Sequence, residues 1–400
     1  MRFVLAFWLG VAMVGAVCAE TVPDPFAGVS AATGVVATAA DESTVSGFTH
    51  DNFTFKKEIF SQFSRSDEAP ASSNIYSRQS IGFEILKKFS TSTSTIAAFD
   101  IQMRLVRRDH FLSTANDMEG VDRDGFYTEY HNIYADFYNI LNPLMPDKTR
   151  GDNAGRFNLR VGRSYVPFGI NLQTDTHGTL LQLSNEEDFG FERDWGAGLW
   201  GSLTPDLDYN VSYLLGSGYD IAFDGQHGLA VSRLSLAGKY LNNYGIEGGL
   251  SFLSGQRLVK NTLMDNLGDV ISRADTRTVD TIRGGLDGRY THVVPGGTMS
   301  LTAELNAGKD DDDDAFGQLY QADYLDHSRK WGLASQYRRF LRDNENRKAD
   351  ESLFGEFTWY FRNDVGNTTL HWVKLNIEKQ LERQEGPKDV IVSVQYYRYW

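Results

Sequence analysis

The sequence predicts an all-β protein, a transmembrane antiparallel up-and-down β-barrel of about sixteen strands, and three observations carry that expectation. Apolar and polar residues alternate with a period of two through most of residues 51–400, as in strands whose two faces meet different surroundings. Connections between the candidate strands alternate between long and short, as loops and turns do at the two ends of an outer-membrane barrel. No stretch beyond the first twenty residues approaches the roughly 18 continuous apolar residues of a spanning helix, so a crossing of the bilayer there must use strands.

Residues 1–19, "MRFVLAFWLGVAMVGAVCA", carry one early Arg2, an apolar run from Phe3 to Val17 and small residues before Glu20, which reads as a cleaved secretory signal peptide. A spanning helix is the weaker reading, because that run falls short of the roughly 20 residues a bilayer needs. Cleavage removes Cys18, the only cysteine, and a large exported fold without disulfides fits a bacterial envelope. Residues 20–50 are small and of low complexity, an extended lead-in. The barrel then occupies 51–400.

Alternation is clearest in "TIAAFDIQMRL", where Phe99, Ile101, Met103 and Leu105 oppose Asp100, Gln102 and Arg104. Sixteen such segments fall between residues 53 and 400, an even number as single-chain bacterial barrels require, with fourteen or eighteen also compatible with the boundaries. Those starting near 53, 126 and 317 have ambiguous faces. "TPD" at 204–206, "NNYG" at 242–245 and "VPGG" at 294–297 read as tight turns, while 140–155 is long for the same end. A soluble β-sandwich would alternate too, but it has no reason to sort its loops by length.

The third external connection, 164–194, is the longest, and long loops in compact domains are usually functional. Folded inward, it would narrow the aqueous lumen of a sixteen-stranded barrel. A flexible surface loop is the alternative. It carries Asp175, Glu186, Glu187, Asp188, Glu192 and Asp194 against Arg193 alone, an excess that favours cations. The polar strand faces say otherwise: Arg78, Arg104, Arg160, Arg283, Arg289, Arg338 and Lys374, with Lys88, are set against Asp100, Glu304 and Glu356, with Glu84, Asp287 and Glu378. These are the candidate pore-lining residues, and such interleaved charges can simply pair across strands. Selectivity stays open.

The stretch "FNLRVGRSYVPFGINL", followed by "ERDWGAGLWGSL" and "YNVSYLLGSG", resembles the phosphate-selective porin family, with the resembling core at 156–218. The resemblance implies a sixteen-stranded, trimeric porin whose third loop folds inward. Together with the alternation it supports passive diffusion of small hydrophilic solutes or ions through a constricted charged pore, in the outer membrane of a Gram-negative bacterium. The alternative is a non-conducting barrel with a structural or partner-binding role.

A net charge of −14 argues against nucleic acid as a partner. Outer-membrane lipid and lipopolysaccharide are the expected surroundings. No cofactor is expected, although "KDDDDDAFG" at 309–317 could hold a divalent cation loosely at Asp310, Asp312 and Asp314 in an external loop; it lacks the glycine and terminal acid of a dedicated calcium loop. An enzyme is not expected either: the eight histidines show no metal-ligand spacing, and no Gly-x-Ser-x-Gly elbow occurs. In the final strand, which ends "VSVQYYRYW", Val390, Val392, Val394, Tyr396, Arg398 and Trp400 share one face, which should look at lipid; a shift in parity would instead turn Tyr397 and Tyr399 to that side. An aromatic last residue after alternating apolar ones resembles the signature read by outer-membrane barrel assembly machinery, making Trp400 the candidate assembly signal.

Overall fold

The computed structural model describes residues 53–67, 75–90, 95–109, 125–141, 156–170, 192–218, 227–260, 276–342, 349–364, 369–383 and 388–400. Sixteen strands run through them. The first eight are β1 (Phe53–Ser66), β2 (Ile75–Ser90), β3 (Thr95–Asp109), β4 (Gly125–Phe137), β5 (Asn158–Tyr165), β6 (Arg193–Thr204), β7 (Leu207–Leu214) and β8 (Gly228–Leu236). The second eight are β9 (Ile246–Lys260), β10 (Thr276–Val294), β11 (Gly297–Asp310), β12 (Asp313–Asp326), β13 (Trp331–Arg342), β14 (Asp350–Asp364), β15 (Thr369–Glu382) and β16 (Val390–Tyr399). Each pairs antiparallel with the next, and β1 pairs with β16, so the sheet closes on itself as an up-and-down barrel. Closure gives every described strand a partner on both sides, although β4 meets β5 only over Ile133–Phe137.

The alternation read from the sequence becomes the two faces of this wall. On β1, Ile59 and Phe63 are exposed while Glu58, Gln62 and Ser64 are buried; on β3, Leu105 is exposed while Asp100, Gln102 and Arg104 are buried. The same inversion, apolar side out and charged side in, recurs at Val211, Leu250, Leu353, Phe357 and Ile377. Only a hydrocarbon environment makes such an outer face favourable, whereas water would make it a large penalty.

Backbone irregularities explain where the period of two fails. Ile101 pairs with Ile133 and Met103 with Tyr130, so Gln102 alone faces both His131 and Asn132. This bulge shifts the parity of β4 midway, which is why its faces were ambiguous in the sequence, and it leaves His131 and Asn132 both buried.

Three expectations need correction. The segment 237–241, read as the end of a strand before an "NNYG" turn, is a short helix, α1 (Gly238–Tyr244). It ends because Gly245 adopts a left-handed conformation, φ 66°, and its N–H returns to Leu241 O and Tyr240 O. The acidic run is no open loop: β11 continues through Asp310, β12 starts at Asp313, and only Asp311 and Asp312 make the turn. The third long connection is shorter than 164–194, since Ser164 and Tyr165 belong to β5 and Arg193 and Asp194 to β6. The connection at 142–155 and the lead-in at 20–50 lie outside the described residues.

The two-residue turn between β11 and β12 lies at one end of the barrel, while short turns at the other end include 205–206 between β6 and β7 and Pro295–Gly296 between β10 and β11. The seam closes at that end: Lys57 N–H donates to Trp400 O (2.9 Å) and Trp400 N–H to Lys57 O (3.0 Å). Trp400, Arg398 and Tyr396 follow the outward parity of exposed Val392 and Val394, and the Arg398 guanidinium lies 4.6 Å over the Trp400 ring. That contact gives an outward arginine a partner at the rim.

At the same end α1 docks on the β6–β7 turn through Asp206, which accepts from Lys239 Nζ and from Tyr240 OH (2.9 Å). The Lys239 ammonium, then the Tyr240 hydroxyl, hold the Asp206 carboxyl below its ordinary range, while the same bond raises Lys239. A depressed carboxyl stabilises the folded state above its ordinary value and loses that contribution as pH falls through the lowered one. The dock is therefore expected to hold through the neutral range and loosen in acid. Following the Tyr240 ring shift by NMR during acid titration checks it, because Asp206→Asn should abolish the acid transition; persistence of that transition in the variant would contradict the assignment.

Candidate functional site: the interior of the barrel

Every candidate wall residue lies on the inner, buried parity of its strand. Arg78 is on β2, Asp100 and Arg104 on β3, Arg160 on β5, Arg283 and Arg289 on β10, Glu304 on β11, Arg338 on β13, Glu356 on β14 and Lys374 on β15. Their order in the sequence hides how they meet. Arg104 binds Glu58 across β1–β3 (2.6 Å) and donates to His131 of β4, while Arg78 reaches Glu129 of β4 (2.5 Å). Arg160 grips Asp136 with two bonds (2.8 and 2.7 Å) and stacks 4.1 Å over the Tyr134 ring. Farther round, Arg233 of β8 forms a fork with Asp287, Arg289 faces Glu247 (3.4 Å), and Lys374 binds Glu356 (2.8 Å).

Several of these partners, including Glu58, Glu129, His131, Asp136 and Arg233, were not among the sequence candidates. The signal that could have found them is the register, since each lies on the inner face of a strand near its counterpart. With strands ~4.8 Å apart, a long arginine easily spans one neighbour and reaches the next. A buried guanidinium demands such partners, because an unpaired charge there costs several kcal/mol, roughly 3–5 when one member of a pair is removed.

Asp310 also faces inward. It accepts from Arg257 (2.7 Å) and Thr281 OH (2.8 Å) and forms an ion pair with Arg283 (2.8 Å), while Asp314 lies near Lys309 (3.5 Å). The structure thus parts Asp310 from Asp314, and among the described residues no group of three acidic, His or Cys side chains is arranged to hold a metal ion.

An apolar patch interrupts this polar wall. Leu214 on β7, Leu229 and Val231 on β8 and Leu253 on β9 are buried inner residues, and they pack with Tyr165, Val166 and Phe168. The chain leaving β5 therefore crosses the interior over them. Gly169 N–H donates to Ser251 Oγ (3.0 Å) of β9, and Ile170 N–H to Glu304 Oε1 (3.0 Å) of β11. Two glycines make the passage fit. Phe168 fills the space beside Gly285, where a β-carbon would lie 2.7 Å from the ring. Gly169 has φ 79°, and its β-carbon would lie 2.8 Å from Glu304 Oε2.

The base of this connection is tied down separately. Arg163 donates to Tyr130 O (3.0 Å), Arg193 O (3.1 Å) and Gly218 O (2.6 Å). Asp194 accepts from the N–H groups of Trp195 (2.8 Å), Gly216 (2.6 Å) and Gly218 (3.0 Å), binding β6 to the connection after β7. Asp194→Ala leaves three buried N–H groups without an acceptor and is expected to destabilise the barrel by about 2–4 kcal/mol, read as a lower urea midpoint in detergent or lipid.

Arg193 is the correction among the loop candidates. As the first residue of β6 it is buried, bound to Glu192 (2.9 Å) and stacked 4.0 Å over the Tyr165 ring, so it braces the loop base and does not occupy the loop's middle. Asp175, Glu186, Glu187 and Asp188 lie outside the described residues.

No family model matches the sequence, and no curated protein matches it. Solved structures do. OprB of Pseudomonas putida superposes on 90% of this chain and 100% of its own, with a TM-score of 0.58 at 10% identity. OmpF of Salmonella typhi, solved with daunomycin, covers 88% of this chain and 100% of its own, with a TM-score of 0.53 at 10% identity. OmpT, an outer membrane protein of Vibrio cholerae, covers 87% and 97%, with a TM-score of 0.50 at 7% identity. At such identities the likeness concerns the fold alone, a closed barrel shared with these proteins, which this chain builds from sixteen strands.

Proposed function

We propose that this chain is an outer-membrane porin through which small hydrophilic solutes or ions diffuse passively. The observation that carries the reading is the crossing of Val166–Ile170 over the inner wall to Ser251 and Glu304, inside a barrel whose interior is charged and whose exterior is apolar. A segment held there narrows a lumen that would otherwise admit solutes with little discrimination. Filtering is then steric and electrostatic, with no bond made or broken. The long connections face outward from a Gram-negative cell and the short turns face the periplasm, the orientation usual for such barrels. In this reading residues 1–19 are a cleaved signal peptide and the active assembly is a homotrimer.

The phosphate preference of the family it resembles is not part of the proposal, because these inner arginines are matched by carboxylates one or two strands away. Purified protein in a planar bilayer should open in discrete conductance steps, and the reversal potential in a salt gradient assigns the ion: anion preference would make the wall dominant, cation preference the acidic loop. Insertion without any opening steps would sink the proposal and leave a structural or partner-binding barrel in its place.

A further inference from the structure

The outer face of β11–β15 is not evenly rough. Register places Met299, Tyr324, Leu333, Phe357 and Leu375 in one cross-strand row, all on outward parity. One step farther from the short turns, the row is Ala322, Ser335, Gly355 and Ile377; the next is Tyr320, Tyr337 and Leu353. Three small residues side by side thus lie in a trough between two ridges of large ones. This trough is a cavity of about 480 Å³ lined by the Met299-to-Leu375 row and by Ala322, Ser335, Gly355 and Ile377. A β-carbon on Gly355 would meet nothing within 4 Å, so the floor is open space and not a packed contact.

The trough also has a direction. At its β11 end Met299 stands two residues from the β10–β11 turn, whereas at its β15 end Ile377 is well up its strand from Thr369. It climbs from the short-turn rim toward the middle of the wall, and its three small residues on β12, β13 and β14 span two strand spacings, ~10 Å, which fits within the ~15 Å of one hydrocarbon leaflet. Beside its low end the β12–β13 turn carries His327, Arg329 and Lys330, held in place by Asp326, whose carboxylate accepts from the N–H groups of Ser328, Lys330 and Trp331. Tyr324 and Trp331 pack together there, ring centroids 5.3 Å apart, as an interfacial aromatic pair.

We propose that this trough is a binding site for one glycerophospholipid of the periplasmic leaflet, with an acyl chain along Ala322, Ser335 and Gly355 and the phosphate at Arg329 and Lys330. An apolar slot that starts beneath a half-buried Arg329 and an exposed Lys330 and rises into the wall matches the shape and charge of that molecule. The inference rests on the reading that the barrel spans a membrane, and folding is scored separately from lipid occupancy.

The test is photolabelling of the full barrel, reconstituted in vesicles of phosphatidylethanolamine and phosphatidylglycerol that contain a phosphatidylethanolamine with a diazirine on its acyl chain. Labelled peptides should come from 322–335 and 353–357 severalfold more than from the outer face of β8–β9 around Leu234 and Phe252. Gly355→Leu, whose β-carbon meets no atom within 4 Å and whose side chain enters the slot, should lose that enrichment while keeping heat-modifiable migration. Lys330→Glu should weaken retention of the lipid through detergent exchange in native mass spectrometry. Even labelling around the barrel, enrichment unchanged in Gly355→Leu, or protein–protein cross-links from a photoreactive residue at position 335 would each overturn the assignment.

Discussion

Replacing Gly169 with valine is expected to raise single-channel conductance and admit larger solutes while the barrel stays closed. At φ 79° a valine is strained by about 1–3 kcal/mol, and its side chain would collide with the Glu304 carboxylate that anchors Ile170 N–H. Each 1.4 kcal/mol is tenfold in an equilibrium, so the ratio of anchored to released segment should fall by roughly 5- to 150-fold. Glu304→Ala removes the acceptor and should act in the same direction. Glu304→Gln keeps an acceptor oxygen and should act weakly. That graded series separates anchoring from a general loss of stability, since the wall pairs elsewhere are untouched. Single-channel recording reads the result, and conductance equal to wild type in both Gly169→Val and Glu304→Ala would show that the segment does not limit flow.

Deleting Trp400 is expected to cut the yield of folded barrel sharply. The residue exchanges two backbone hydrogen bonds with Lys57 at the seam, so its loss strips the last rung from the β1–β16 pairing that closes the sheet. A bond of this kind is worth ~1 kcal/mol net in water, but a backbone group left unpaired toward lipid costs several kcal/mol. The Arg398 guanidinium loses its aromatic cover in the same change. Trp400→Phe retains the backbone and a ring, and should restore most of the barrel. Quantifying heat-modifiable protein in outer-membrane fractions checks both variants, and undiminished barrel in the deletion would refute the expectation.

How much of this was readable beforehand depended on which physical rule governed each feature. The inward direction of Arg78, Arg104, Arg160, Arg283, Arg338 and Lys374 follows from alternation alone, because a two-faced wall imposes a period of two on every strand that crosses it, whereas sixteen strands rather than fourteen or eighteen needed the pairing. Trp400 was legible for the same reason. Where the backbone departs from ideal pairing, the pattern misled. The bulge at His131 and Asn132 reverses parity within β4, and α1 replaces the end of a strand because Gly245 can take the left-handed conformation that caps it. Acidic residues at 309–317 looked like a solvated loop by composition, yet the hairpin places Asp310 inside, between Arg257 and Arg283.

The candidate site divides along the same line. Local pattern sufficed to name the wall and to place a long connection after "VGRSY", since those properties belong to single strands and their lengths. Pairing of Arg104 with Glu58, of Arg160 with Asp136 and of Arg233 with Asp287 required the register of neighbouring strands. The passage of Gly169 to Ser251 and of Ile170 to Glu304 required closure of the barrel, which carries residues separated by 82 and 134 positions in the chain into hydrogen-bond contact. A period of two states which face a side chain joins, whereas the neighbour it meets there is set by how the whole sheet curls shut.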